Sequence, residues 1–428
     1  MYRLQQPLYK YGDQYIAIDF DQAFKTIAAQ MSEAQANRTL VMASGDYSNE
    51  ELYLLQRLAR AGFNTNAIAS YDYYRRGTAF CWDKNDIVPM AELYGSDAFF
   101  TLLNPAADTP AQAPLLNILN SCPATARYNF NTPETLNIKD FGAFFRCVNR
   151  HLIENGHAKG IYVEGLGKDY DQYRSRLLSE DLDLLLGANG LQNKDIQTFA
   201  DFLLRFKAPV FLFWERYLDE RGVIELENLC MLLDIQAKPA AGFLCIKAEP
   251  NSQGLFDMGI APHLCVGGLP FAEANTTLME KMYGRPAQTA NVDVPGRIVA
   301  KDFDACLLFN AGGGVIPDEV TAAAPNCRFS LLQTAFVDDT ATQEPQFDLL
   351  LPASLPSEVE GTYTDSGRVP HRNRASENCP LPFTTTQMLS RISVGCGLPA
   401  LEDTNDIFLE YISFFQGGCR SKSRHFFR

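Results

Sequence analysis

The sequence predicts an α/β protein with mainly parallel sheets. Two observations predict this class. Short apolar runs of strand length alternate with segments of helical periodicity, and the runs are nearly continuous, as in strands that are buried on both faces of a sheet. The chain has 428 residues, of which 46% are hydrophobic and 21% are charged. At about 150 residues per domain, this length allows two or three domains, each with a sizeable core.

The predicted elements follow these two patterns along the chain. Apolar residues recur every three or four positions in the helical segments, and Ser48 and Glu51 form a capping box at the start of the second one. After Pro370 the sequence is polar and turn-rich until the last predicted helix. Strands are predicted over 39–44, 98–103, 160–163, 210–214, 242–246, 305–309, 329–334 and 347–351, and helices over 19–34, 48–62, 141–153, 195–206, 224–233 and 406–415.

Charge and hydropathy exclude two classes of protein. The net charge is −14, and such an acidic surface repels phosphate backbones, so we expect no nucleic-acid partner. No apolar run approaches the roughly 18 residues of a membrane-spanning helix, so we expect no transmembrane segment in this chain. The first residues lack the apolar core of a signal peptide. These features predict a cytoplasmic protein.

The eleven cysteines are scattered along the chain. The closest pair, Cys230 and Cys245, is fifteen residues apart, so the sequence has no C-x-x-C motif. Zinc and iron–sulfur sites usually take at least two ligands from one short loop. We therefore predict reduced, mostly buried cysteines, no iron–sulfur cluster and no metal site on this chain.

Five phrases of the sequence resemble, in the same order, phrases of the molybdopterin oxidoreductases. This family includes the catalytic subunits of formate dehydrogenases and the large iron–sulfur subunit of NADH dehydrogenase. Ser48 to Glu51 is similar to the family's T-N-E-E turn, Asn104 to Ala106 to its N-P-A, and Gln253 to Gly259 to its N-x-Q-G-x-x-D-M-G loop. The remaining phrases are 3–23 at the start and 347–364, which resembles A-D-V-V-L-P … E-x-x-G-T-F-T-N.

The resemblance implies two Rossmann-like parallel-sheet domains, one inserted in the other, with a short C-terminal tail. In the family a four-cysteine iron–sulfur domain precedes the phrase that here begins at Arg3, and a β-barrel domain closes over the pterin cofactor. We expect both outer domains to be lacking. The expected segments are an N-terminal arm at 1–12, a discontinuous α/β domain at 13–70 plus 260–375, an inserted α/β domain at 71–259 and a tail at 376–428.

The resemblance also locates the position of a metal ligand. Formate dehydrogenase-like members carry a cysteine or selenocysteine on molybdenum, with a histidine beside it. Matching residues 65–68 to the family's T-N-N-I places Tyr74 at the ligand position and Arg75 at the histidine position. A phenol with a pKa near 10 replaces a thiolate poorly on this metal, and Cys81 would need a rebuilt loop. We therefore predict no catalytic residue.

The cofactor positions are altered as well. If a molybdopterin guanine dinucleotide with molybdenum or tungsten were retained, the resemblance would place it on seven residues of this chain. The stretch 123–128 lacks the family's D-P-R signature, and Asn310 starts a glycine loop where the family has G-x-N-P. That loop could bind a phosphate through its amides or simply form a flexible turn. The seven residues are Asn49, Glu50, Asn104, Gln253, Gly254, Asp257 and Asn310.

These observations predict a non-catalytic or degenerate molybdopterin-oxidoreductase-like subunit that scaffolds a multisubunit redox complex. The resemblance suggests a complex of the NADH dehydrogenase, formate dehydrogenase or hydrogenase type, with iron–sulfur and possibly flavin subunits as partners in electron transfer. No cofactor is expected on this chain. The alternative is the central part of a split molybdopterin enzyme whose iron–sulfur and barrel domains are on partner chains. A third hypothesis is a sensor that binds an unrelated nucleotide.

Overall fold

The computed structural model describes residues 1–417 except 82–86, 104–112, 124–125, 159–162, 164, 166, 236–237, 313 and 339–345. Within these residues the chain divides into two compact units. Unit 1 comprises 1–75, 249–365 and the described residues from 370 onwards, and unit 2 comprises 76–248 and 366–369. Both units contain parallel strands and helices, so the predicted fold class is confirmed. No helix in these ranges is long and apolar enough to cross a membrane.

The strands are short. In chain order they are β1 (Tyr2–Arg3), β2 (Leu8–Tyr11), β3 (Gln14–Ala17), β4 (Thr39–Ala43), β5 (Ile68–Ser70), β6 (Ala98–Leu102), β7 (Ala126–Asn129), β8 (Pro209–Trp214), β9 (Gly242–Ile246), β10 (Leu264–Cys265), β11 (Leu269–Pro270), β12 (Ala305–Asn310), β13 (Phe329–Thr334), β14 (Phe336–Val337), β15 (Leu349–Pro352), β16 (Gly361–Thr364) and β17 (Pro370–Asn373).

The α-helices connect and cover these strands. In chain order they are α1 (Phe20–Ser32), α2 (Asn49–Arg57), α3 (Ala113–Ser121), α4 (Phe141–Glu154), α5 (Lys168–Ser179), α6 (Leu182–Gly187), α7 (Asn193–Leu203), α8 (Glu220–Leu232), α9 (Ser252–Asp257), α10 (Glu273–Tyr283), α11 (Val294–Ala300), α12 (Asp318–Thr321), α13 (Thr385–Gly395) and α14 (Thr404–Gly417).

Unit 1 is built on a sheet with the strand order β3-β2-β15-β13-β12-β4-β5. The strands from β15 to β5 are parallel, and β2 and β3 extend one edge in antiparallel fashion. The strand β4 is the first parallel strand in the chain, β5 lies on one side of it and β12 on the other. The carboxyl ends of β4 and β12 therefore form a topological switch point, the place where open α/β sheets bind ligands.

Two helices of unit 1 form as the sequence predicts. Asp19 caps α1 by accepting a hydrogen bond from the Gln22 amide, and the helix buries an apolar stripe. Ser48 and Glu51 form the capping box of α2, and every residue of α2 is buried. A π-helical turn over Leu58–Gly62 continues α2 and contains Arg60. The switch point is thus followed directly by a fully buried helix.

Unit 2 has a four-stranded parallel sheet with the order β7-β6-β8-β9. Its core is rich in phenylalanine. Phe100 stacks on Phe211 with ring centroids 5.0 Å apart, and residues of α4 and α7 pack around them. Between the helices, the buried Glu225 accepts hydrogen bonds from Arg146 (2.6 Å) and from the Tyr173 hydroxyl (2.6 Å). This charged network is fully paired, as a buried carboxylate requires.

The structure also differs from the sequence prediction at several elements. Predicted strands correspond to β4, β6, β8, β9, β12, β13 and β15, whereas 160–162 lie outside the described residues. The strands β5 and β7 were not predicted because three or four residues carry too little pattern. The helix α13 lies in the stretch expected to be turn-rich. Its Thr384 capping box starts a helix whose Met388, Leu389 and Ile392 are buried.

Candidate functional site

The switch point of unit 1 presents an acidic surface. Ser44 and Gly45 follow β4, and the Gly45 amide donates a 2.6 Å hydrogen bond to Glu249 Oε2. A Cβ on Gly45 would lie 2.6 Å from that oxygen, so only glycine lets the Glu249 carboxylate approach this closely. The Ser44 hydroxyl donates to Asp46 Oδ2 at 3.1 Å. A backbone amide that could bind an anion is therefore occupied by a carboxylate of the chain itself.

Asn49, the first residue of α2, belongs to a closed ring of buried hydrogen bonds. Its Nδ2 donates to Thr364 Oγ1 at 2.9 Å, and its Oδ1 accepts from Asn251 Nδ2 at 3.0 Å. Asn251 Oδ1 in turn accepts from the Thr364 amide at 2.7 Å. These three side chains come from α2, from the turn before α9 and from β16. The polar atoms of Asn49 are therefore bonded within the protein.

Glu50 and Glu51 are also buried. Glu50 accepts hydrogen bonds from the Thr362 amide (2.7 Å) and hydroxyl (2.8 Å), and burial raises its pKa above the ordinary value. Glu51 accepts from the Ser48 amide at 2.9 Å, and burial raises its pKa to about 7. Both carboxylates therefore bond to backbone amides of unit 1, at the start of α2 and in β16.

The loop that resembles N-x-Q-G-x-x-D-M-G folds into α9. Gln253 Nε2 donates to Asp257 Oδ1 at 3.1 Å within this helix. Gly254 lies directly against the ring of Asn49 and Asn251, because a Cβ at this position would be 2.3 and 2.2 Å from their side-chain oxygens. Asn251, two residues before the matched stretch 253–259, is thus part of the site, although it was not predicted from the sequence.

Gly254→Ala is expected to destabilise unit 1 by about 2 kcal/mol, since overpacking of a buried contact typically costs about 1–3 kcal/mol. Hydrogen exchange of peptides from α2 and α9 would measure the effect. Gly187→Ala is the matched control, because nothing lies within 4 Å of a Cβ at that position in α6. The control should be neutral or slightly stabilising. Equal effects of the two substitutions would contradict the role assigned to Gly254.

Asn310 ends β12 at the other side of the switch point. Its Nδ2 donates to the Gly314 carbonyl at 2.6 Å, which closes the glycine loop. Its Oδ1 is buried and has no hydrogen-bond partner among the described residues. Asp46 Oδ2 lies 2.6 Å from the position of a Cβ on Gly312. Gly313 lies outside the described residues, as does Asn104, another of the predicted cofactor positions.

Tyr74 and Arg75 both contact Glu319. The Tyr74 hydroxyl donates to Glu319 Oε1, and Arg75 forms a 2.7 Å ion pair with the same oxygen. Burial raises the pKa of Tyr74 well above its ordinary value, and the hydrogen bond to Glu319 adds to this. A metal ligand must be deprotonated, and this phenol is held protonated. Cys81 is half-buried, and none of the cysteines that the structure describes forms a disulfide.

The residues at this edge of unit 1 do not fit an anionic pterin dinucleotide. Glu249 occupies the Gly45 amide, and Asp46 lies against the glycine loop, so the phosphates would meet two carboxylates. No group of three or more His, Cys, Asp or Glu side chains is placed to hold a metal ion in the ranges that the structure describes. We therefore assign no chemical step to such a cofactor here.

Several residues that shape this site were not predicted from the sequence. The structure brings Asn49, Gly254 and Asn251 into contact, and it pairs Gln253 with Asp257. The side chains that it adds are Asp46, Glu249, Asn251, Glu319, Thr362 and Thr364. Among these, only Thr362 and Thr364 carried a signal in the sequence, because they lie in a matched phrase. The carboxylates of Asp46, Glu249 and Glu319 lie at positions that no phrase marked.

Comparison with known proteins shows which proteins the chain is similar to. Residues 3–116 match the model of the molybdopterin oxidoreductase family. The chain is similar to members of that family beyond this segment as well. It is 21% identical over 403 residues to proteins of Staphylococcus aureus that are named as formate dehydrogenases, for example in strains RF122 and MSSA476. The match covers 86% of this chain but only 40% of each relative.

Two solved structures are similar in fold. Acetylene hydratase from Pelobacter acetylenicus aligns with a TM-score of 0.65 and 14% identity, over 92% of this chain and 61% of the hydratase chain. A chain of the formyltransferase/hydrolase complex from Methylorubrum extorquens, solved with methylofuran, aligns with a TM-score of 0.58 and 14% identity. That alignment covers 91% of this chain and 98% of the other. At these identities the likeness concerns the fold.

Proposed function

We propose that this molybdopterin-oxidoreductase-like chain is a non-catalytic subunit that scaffolds a multisubunit complex in the cytoplasm. The observation that carries the proposal is the Glu249 carboxylate on the Gly45 amide, at the switch point where such a fold would bind a ligand phosphate. The ring of Asn49, Asn251 and Thr364 adds support, since a cofactor there would have to break existing hydrogen bonds. The near-complete overlap with a chain of a multisubunit complex also favours a subunit.

We also propose that Tyr74 and Arg75 have no catalytic role. A molybdenum ligand at position 74 would need a deprotonated side chain, whereas the Tyr74 hydroxyl keeps its proton and donates a hydrogen bond to Glu319. Arg75 is already paired with the same carboxylate. Both residues act, in our proposal, as structural groups of unit 1. The fold would then persist as a rigid body for partner chains, which we propose to be iron–sulfur and possibly flavin subunits of a redox complex.

The likeness to the formyltransferase/hydrolase chain favours a second candidate, a subunit of a complex that transfers formyl groups rather than electrons. Affinity purification of the tagged chain from its own cells distinguishes the two complexes. A redox complex would bring iron–sulfur or flavin chains with their visible absorbance, whereas a formyl-transfer complex would bring colourless transferase chains. A chain that purifies alone under mild conditions would contradict both forms of the scaffold.

Metal and pterin analysis tests the non-catalytic role. We expect molybdenum and tungsten well below one atom per chain in the purified complex, and no fluorescent pterin after oxidative extraction. The alternative, a split molybdopterin enzyme, requires one metal atom and pterin per chain together with a co-purifying barrel chain. A stoichiometric metal signal that stays with this chain after the partners are removed would overturn our proposal.

A further inference from the structure

Two cysteines that are far apart in the sequence, Cys306 and Cys327, lie close together in unit 1. Cys306 is the second residue of β12 and is fully buried. Cys327 is half-buried and follows the short turn Ala324–Asn326, which leads into β13. The strands β12 and β13 are parallel neighbours, and the Arg328 amide donates to the Asp304 carbonyl at 2.8 Å. The chain beside Cys327 is thus bonded to the chain beside Cys306.

The two side chains meet in the apolar core of unit 1. Both belong to the cluster that packs α11 and α12 against the sheet. The thiols of Cys306 and Cys327 form a hydrogen bond with each other. Cys327 Sγ also donates to the Ala323 carbonyl at 3.6 Å, which holds this sulfur at the end of the turn. Neither cysteine forms a disulfide in the structure. The fold therefore brings two reduced thiols into contact.

Cys327 is the more reactive thiol of the pair for two reasons. An oxidant can reach it from solvent, whereas Cys306 is covered by the core. The hydrogen bond from Cys306 also holds the pKa of Cys327 below its ordinary value, while the same bond, together with burial, raises the pKa of Cys306. The thiolate is the form that reacts with oxidants. An accessible thiol of lowered pKa beside a second thiol is the arrangement typical of redox-sensitive cysteines.

We propose that Cys306 and Cys327 are a redox-sensitive pair that forms a disulfide when the chain meets a peroxide. The Cys327 thiolate attacks one oxygen of hydrogen peroxide, the O–O bond breaks, and a sulfenic acid forms on Cys327 while the other oxygen leaves as water. The Cys306 sulfur then attacks the Cys327 sulfur, the S–S bond forms, and the sulfenic oxygen leaves as a second water. The two thiols lose two electrons and two protons, and the peroxide is reduced to two water molecules.

The disulfide would join the start of β12 to the segment that enters β13. The glycine loop after Asn310 and the helix α12 lie between the two cysteines in the sequence, so oxidation would close this part of unit 1 into a ring. In a reducing compartment such a bond is transient, because the thiol pool of the cell restores the reduced pair. The proposal does not depend on the scaffold function, since it requires neither a partner chain nor a cofactor.

Peptide mapping of the full chain after peroxide treatment tests the proposal. Trypsin cleaves after Lys301 and Arg328, so residues 302–328 form one peptide, whose only cysteines are Cys306 and Cys327. The folded chain is treated with hydrogen peroxide, and the remaining thiols are alkylated in denaturant before digestion. We expect this peptide to be two hydrogen atoms lighter and to carry no alkyl group. Dithiothreitol added before alkylation should restore two alkylated cysteines.

Three variants separate the roles of the two thiols. Cys327→Ser should slow the oxidation of Cys306 at least about tenfold, because the accessible thiolate is lost. Cys306→Ala should stop at the sulfenic or sulfinic acid of Cys327, since no second thiol can displace the oxygen. Cys396→Ser removes another half-buried thiol and is the matched control. It should form the disulfide at the rate of the wild type.

Two results with the wild-type chain would overturn the proposal. One is a peptide 302–328 that keeps both thiols at millimolar peroxide. The other is a peptide that accumulates sulfinic acid on Cys327 without a disulfide, because Cys306 would then be unable to reach the oxidised sulfur. Both results are measured on the unsubstituted protein, so the test holds even where a variant folds poorly.

Discussion

Replacing Arg60 with methionine is expected to destabilise unit 1 by more than about 5 kcal/mol, because several buried acceptors lose their donor at once and each costs about 1–3 kcal/mol. Arg60 is fully buried in the π-helical turn after α2. Its guanidinium donates to the carbonyls of Gly259, Ala261 and Leu264 at 2.7–3.0 Å, and to the side chains of Asn66 and Gln56. Burial lowers its pKa to about 10, so part of the loss is offset by removing a desolvated charge.

Hydrogen exchange of peptides covering 255–270 is the direct measurement. Both tryptophans of the chain lie between residues 76 and 248, so their fluorescence reports on unit 2 rather than on this loop. Arg60→Lys keeps a charge and three donors and should lose less stability than the methionine variant. Arg391→Met is the control, since Arg391 is exposed. If the peptides covering 255–270 exchanged hydrogen at the same rate in Arg60→Met and Arg391→Met, Arg60 would not be what holds this loop.

Arg60 shows which features of this fold could not be predicted from the sequence. The continuous apolar runs predict the central strands, because burial on both faces is visible residue by residue. The capping box at Ser48 predicts where α2 begins. The sequence around Arg60 does not predict its three carbonyl acceptors, because they lie about 200 residues away in the chain. Such pairings arise only when the two segments of unit 1 come together.

The candidate site, too, could be predicted from the sequence only in part. Family phrases marked Asn49, Gly254 and Asn310, and all three lie at strand ends or helix starts of unit 1. The phrases did not indicate that Asn49 is bonded to Thr364 and Asn251, or that Glu249 occupies the amide of Gly45. Glu249 is separated from Gly45 by the whole of unit 2 in sequence. The difference between a site that holds a cofactor and a site filled by the chain therefore depends on side chains that no motif includes.

Glu51→Gln is expected to remove a pH dependence of stability that the wild-type chain shows between about pH 4.5 and 7. Burial raises the pKa of Glu51 from 4.5 to about 7 in the folded chain. The folded state therefore holds this proton more tightly than the unfolded state, and stability falls as the pH rises through this window. A shift of this size corresponds to about 3 kcal/mol between pH 4.5 and pH 8, at 1.36 kcal/mol per pKa unit.

Glu51→Gln removes the charge of residue 51 but keeps its part in the capping box of α2. Glutamine offers an oxygen to the Ser48 amide, which donates to Glu51 at 2.9 Å in the wild type. Melting temperatures of the wild type and of Glu51→Gln are measured at pH 4.5, 6 and 8. They should be similar at low pH and differ above pH 6, where Glu51→Gln is the more stable protein. Glu402→Gln, at an exposed position, is the control. Parallel curves across the whole range would mean that Glu51 ionises in the folded chain as it does in the unfolded one. The buried start of α2 would then tolerate the negative charge of Glu51.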